Sequence, residues 1–168
     1  AVIPDVIDGN EADNDALLAE WPLPKWFGAP VWHMDESLDR LERLANTYPR
    51  ICIGSSGEYA TVGTTAWWGQ MARAMRVLCD DEGRPLCKLH GLRMLNPEIF
   101  SRLPLSSADS TNVAQNVGKD KNWRGTYQPP TKEARAAVMR ERIESINAPA
   151  QWGFIVPEVD TLIQGTFL

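Results

Sequence analysis

Cysteine is scarce in this chain: three residues, an odd number, with no C-x-x-C spacing. That excludes a paired disulfide framework and leaves a structural zinc without its usual ligands. Cys52 and Cys87 fall inside apolar strand patterns, where reduced core thiols are expected. Histidine is scarcer still, with only His33 and His90, and no carboxylate or third histidine stands at a metal-binding spacing. No apolar run approaches the roughly 18 residues that a membrane span needs. The N-terminus also lacks the basic start and apolar stretch of a signal peptide. These absences predict a cytoplasmic chain with no membrane contact, no metal and no cofactor. A net charge of −5 excludes adhesion to nucleic acid through the whole surface, although a local basic patch can coexist with an acidic total.

What is present suits one folded domain, since 168 residues with 43% hydrophobic content can bury a single core. An apolar stretch over 2–8 closes on Asp5, Asp8 and Gly9, and helical spacing follows over 10–21. A second strand over 29–34 leads into a helix that carries Leu38, Leu41, Leu44 and Ala45 on one face and ends before Pro49. A third strand over 50–54 runs into the turn Gly54-Ser55-Ser56-Gly57-Glu58-Tyr59, then a helix over 65–78. The fourth strand ends in His90-Gly91. Asn96-Pro97-Glu98 starts a short helix, because cap, proline and acidic first turn all suit free N–H groups. The fifth strand ends at Ser106-Ser107-Ala108-Asp109-Ser110.

Strands alternating with helices predict parallel pairing with right-handed crossovers, so the fold class is α/β. Asp5/Asp8, His33, Ser55/Ser56, His90 and Asp109 each fall at or just past the end of a successive strand. A barrel gathers all such ends around one pit, whereas an open sheet gathers only those at its switch point. The prediction is therefore a (β/α) TIM-type barrel of about five β/α units, incomplete, with its missing strands upstream of Ala1 or supplied by a partner chain or second copy. Residues 1–112 form the units, 113–130 a basic and aromatic loop, and 131–168 a helix and tail. The helix is expected to line up Ala134, Val138, Arg142 and Ile146 on one side.

Asp109 sits among small and hydroxyl side chains, which suits a carboxylate nucleophile adding to a sugar carbon as an N-glycosidic bond breaks. The same residue also fits an N-cap for a short helix over 111–115, and spacing does not choose between them. Asp8 can pair with the N–H edge of a purine-like base or can serve a turn before Gly9. His33 and His90 are either satisfied core groups or members of a site. Lys119, Lys121, Trp123 and Arg124, with Tyr127, interleave charge and rings as phosphate contact and base stacking require, or form a solvated loop.

Lys-Leu-His-Gly-Leu (88–92), Asn-Pro-Glu (96–98) and Ser-Ala-Asp-Ser-Thr (107–111) together resemble the tRNA-guanine transglycosylase superfamily. The resemblance covers residues 1–118 and is closest to the phage and bacterial branch that places 7-deazapurines in DNA. It implies that Asp109 is the covalent nucleophile at C1′, that Asp8 recognises the base edge, and that His33 stands at a base-contacting glutamine position. Gly54 and Ser55 would offer backbone groups to the base, and His90 and Gly91 would flank the pocket. A 7-deazapurine base and a nucleic acid are the implied partners.

Two departures stand out. The family's other catalytic aspartate, in an Asp-Gly-Gly-Phe or Asp-Asn-Gly-Ala-Phe motif, has no counterpart here. The cysteine cluster of tRNA-modifying relatives is also absent, which favours DNA over tRNA. The second reading is a noncatalytic nucleic-acid-binding or assembly fragment that keeps the fold.

Overall fold

The computed structural model describes residues 1–6, 9–111, 117–118 and 127–153. Its centre is a four-stranded, all-parallel sheet in sequential order: β1 (Val31–His33), β2 (Arg50–Gly54), β3 (Lys88–Gly91) and β4 (Ser107–Ala108). The register sets Trp32 beside Ile53, Cys52 beside His90, and His90 beside Ser107. No strand reverses the order, so the described sheet contains no switch point.

Helix α1 (Glu11–Ala19) precedes the strands, and α2 (Leu38–Thr47), α3 (Thr65–Leu78), α4 (Pro97–Phe100) and α5 (Lys132–Glu144) separate or follow them. Their starts are written in side chains. Asn10 makes a reciprocal capping box with Asp13, while Ser37, Thr64, Asn96 and Thr131 each accept a first-turn N–H. In β2 and β3, alternate residues point to opposite faces. Trp32, Ile51, Ile53 and Leu89 form one face, buried against Leu41 and Leu44 of α2, Met71, Met75 and Leu78 of α3, and Ile99 and Phe100 of α4. Leu18 of α1 and Ile143 of α5 pack on that same cluster. The opposite face carries Ala29, Val31 and Cys52 as a second, smaller cluster with Leu92, and no described helix contributes to it.

Among its described residues, the first expected strand contributes one parallel bridge, Val2 to Ala29. Ile3 donates to the Ala29 carbonyl at 2.9 Å, but Pro4 then has no N–H to give. Farther along, the Val31 carbonyl accepts Arg40 Nη1 at 2.9 Å, and the Val6 N–H goes to Asn14 Oδ1 at 2.7 Å. Side chains thus take over the edge where a ladder would have continued. On α5 it is Ile143 that meets the core, while Ile146, expected in the apolar row, is exposed.

Gly91 is required by packing. A Cβ there would lie 2.9 Å from Leu105 Cδ1 and 2.9 Å from both Cβ and Sδ of Met94. Gly91→Val is expected to cost about 1–3 kcal/mol through overpacking. Urea denaturation checks it; an unchanged midpoint would contradict the close approach.

Candidate active site

Parallel strands deliver their C-terminal ends to one edge, and the helix-free face of that edge carries two histidine–carboxylate pairs. His33, the last residue of β1, meets Asp5 through Nε2 at 2.8 Å from Oδ2, and its side chain is 8% exposed. Its backbone N–H donates to Glu36 Oε2 at 2.9 Å, which anchors the strand end. His90 on β3 meets Ser107 Oγ through Nδ1 at 2.8 Å and faces Asp109 Oδ2 through Nε2 at 3.4 Å. A carboxylate only accepts, so Nε2 carries the proton toward Asp109, and in the neutral ring Nδ1 accepts the Ser107 hydroxyl.

Asp109 is held from both sides of the chain. Its N–H donates to the Gly91 carbonyl at 3.1 Å, and its own carbonyl accepts the Leu95 N–H at 3.0 Å. Its Oδ1 accepts the Arg93 N–H at 2.7 Å. Arg93 adopts φ of 60°, a left-handed backbone that a non-glycine residue adopts at a cost of order 1–3 kcal/mol. The turn after β3 therefore holds strain at the point where its N–H meets the carboxylate. With Oδ1 engaged and its side chain 56% exposed, Asp109 presents Oδ2 to the open edge.

Cys52 lies between the two pairs, level with His90 on β2. Burial, then the charges of Asp109 and Asp5, push its thiol up to about 11. Burial likewise pushes Cys79 and Cys87 up to about 11. At pH 8 only about one thiol in a thousand is then ionised, so none is a ready nucleophile. Iodoacetamide at pH 8 is expected to leave the folded chain unlabelled while the urea-unfolded chain reacts at three sites; rapid labelling of the folded chain, read by mass, would contradict this.

The remaining expected residues divide. Gly54 lies beside His33: an added Cβ would stand 3.4 Å from His33 Nδ1. Ser55 turns the other way, is buried, and accepts the Trp67 indole N–H at 2.9 Å, so its hydroxyl serves the α3 contact. Gly91 faces Leu105 and Met94 on the helix side, away from the face that carries His90. Asp8, Lys119, Lys121, Trp123, Arg124 and most of the segment expected to be capped by Asp109 lie outside the described residues. Asp5 as the partner of His33, Ser107 as the partner of His90, Cys52 between them, and the Arg93 N–H are not legible in the sequence. Asp5 and Ser107 stood in the expected strand ends as polar residues, but only the register reveals whom they meet. Nothing in the identity of Arg93 signals its backbone.

Among the described residues, no three His, Cys, Asp or Glu side chains gather as a metal site, and no helix is long and apolar enough to cross a membrane. A cleft of about 590 Å³ lined by Pro49, Cys87, Lys88 and Ala148 opens at the opposite edge of the sheet. It has no acid–base pair, and the histidine–carboxylate edge is the better chemical candidate. No protein-family model, curated protein or solved structure gives a significant match to the chain.

Proposed function

We propose that the chain is a base-exchange transglycosylase that replaces guanine in DNA with a 7-deazapurine, using Asp109 as the covalent nucleophile. The observation that carries the reading is the Asp109 carboxylate: exposed at the C-terminal edge, fixed by the Arg93 N–H at 2.7 Å, and facing His90 Nε2 at 3.4 Å. A nucleophile needs a free lone pair in a fixed direction, and Oδ2 has both.

The wider fold in this proposal is a (β/α) barrel of which the described sheet is one wall. Sequential parallel order, helices gathered on one face, and a narrow opposite face bearing Val31, Cys52, Gly54 and Ser107 all support it. The target nucleotide must leave the duplex stack to reach this edge. Lys119, Lys121, Trp123 and Arg124 are proposed to hold the flanking strand by phosphate contact and stacking.

In the proposed cycle, Asp109 Oδ2 attacks C1′ as the C1′–N9 bond to guanine breaks. The N9 of a 7-deazapurine then attacks C1′ and expels the carboxylate, toward which the His90 N–H points. The net charge of −5 makes association depend on a local basic surface, so exchange should fall steeply with added salt.

The test is exchange of labelled guanine into duplex DNA and into tRNA. Incorporation into DNA supports the proposal. Incorporation into tRNA alone would keep the chemistry and overturn the substrate, and exchange into neither by the folded chain would overturn the proposal.

A further inference from the structure

The departing guanine needs a proton, and the incoming base must lose one. Asp109 cannot do this work while it is bonded to C1′. His90 is committed on both nitrogens, to Ser107 and toward Asp109. The other histidine is not. Its Nε2 is bonded to Asp5, and among the described residues no hydrogen bond occupies Nδ1.

We propose that His33 is the catalytic acid and base toward the nucleobase, working across a slot from Asp109, with Asp5 as its positioning residue. This inference rests on the transglycosylase reading above.

The slot follows from the register. His33 stands on β1 level with Gly54, and His90 stands on β3 level with Cys52, so both histidines share the helix-free face with β2 between them. Two strand spacings and a two-residue offset along β2 root the rings roughly 12 Å apart, enough for a flat bicyclic base between them. The floor beneath His33 is Gly54, which has no side chain, and Nδ1 lies 3.4 Å from where a Cβ would stand there. The free nitrogen therefore borders bare backbone. The His33 side chain is 8% exposed, which limits exchange of its proton with bulk water.

Asp5 decides which nitrogen works. Bonded to a carboxylate, Nε2 keeps its proton in every state, leaving Nδ1 as the lone pair of the neutral ring and the extra N–H of the charged one. As Asp109 Oδ2 bonds to C1′, the C1′–N9 pair withdraws into guanine, and the charged His33 passes its Nδ1 proton to a nitrogen of that leaving base. Neutral His33 then takes the N9 proton of the incoming 7-deazapurine as N9 bonds to C1′ and the Asp109 carboxylate departs. His33 ends as it began, and one base has replaced another. The competing role for Asp5–His33 is a clasp that pins the N-terminal segment to β1.

The experiment compares base release from two duplexes, one carrying guanine and the other N7-methylguanine, whose fixed positive charge lets it leave without a proton. For His33→Gln, guanine release is expected to fall by about 10²- to 10⁴-fold, with N7-methylguanine release changed by less than about threefold. Asp109→Asn should lose both. Circular dichroism checks folding, and Asp5→Asn provides a second variant that should show the same selectivity at a smaller size, about tenfold. Equal slowing of both bases by His33→Gln and by Asp5→Asn would make the pair a clasp and overturn the inference alone. Unchanged guanine release would also overturn it while leaving the transglycosylase reading intact. Release of neither base by the wild-type chain would overturn both.

Discussion

Replacing Arg40 with alanine is expected to cost about 3–5 kcal/mol, because it leaves a buried carboxylate without its counter-charge. Arg40 and Glu36 have side chains 2% and 5% exposed, and their pair spans 2.6 Å from Nη1 to Oε2. The guanidinium also donates through Nη1 to the Val31 carbonyl at 2.9 Å and through Nε to Asp15 Oδ1 at 3.0 Å. Glu36 in turn accepts Asn14 Nδ2 at 2.9 Å and the His33 N–H at 2.9 Å. One substitution therefore strands a charge and a carbonyl together, against a total stability of about 5–15 kcal/mol for a typical domain. Urea denaturation followed by the fluorescence of buried Trp32 and Trp67 measures it. Asp15→Asn is the control. Its side chain is 34% exposed and also meets the exposed Arg43, so solvent screening keeps its cost below about 1 kcal/mol.

Burial would raise Asp15, but hydrogen bonds from Arg43 and Arg40, with their charges, outweigh it and hold the carboxyl below 3.8. A depressed folded value gives stability that is present above the unfolded value and lost as pH falls through the folded one. That contribution should fade below pH 3.8. If Arg40→Ala and Asp15→Asn cost the same, the buried network is not what braces β1.

Asp109→Asn is expected to lower base exchange by about 10³-fold or more, since an amide oxygen is a poor nucleophile. The fold should barely notice. The amide oxygen still accepts the Arg93 N–H, and for a side chain 56% exposed the stability change should stay within about 0.5 kcal/mol. Activity and stability are thus expected to separate at this position, whereas Arg40→Ala is expected to move both by loosening the anchor of His33. Retained exchange in Asp109→Asn would remove Asp109 from the chemistry.

The elements that were legible in the sequence are those where local signals agree. The expected bounds of β2 and α3 coincide with Arg50–Gly54 and Thr65–Leu78, because an unbroken apolar run and a periodic row end at clear turn and cap residues. The segment at 2–8 had an apolar signal too, but its described residues make one bridge, because Pro4 has no N–H, Asn14 takes the Val6 N–H and Arg40 takes the Val31 carbonyl. Strand ends place His33, Gly54, His90 and Asp109 on one edge, and that much follows from alternation of strands and helices. Which side each residue faces depends on register. Ser55 and Gly91 turn toward the helices, and Asp5 comes to His33 from 28 positions away. Sequence spacing cannot convey a contact closed by the sheet.

The most direct measurement is mass spectrometry of the chain incubated with guanine-containing duplex DNA, without an incoming base, and then denatured. A denaturation-resistant adduct that maps to Ser-Ala-Asp-Ser-Thr at 107–111 and is absent from Asp109→Asn is the expected result. An adduct on any other residue, or base exchange with no adduct at all, would contradict it.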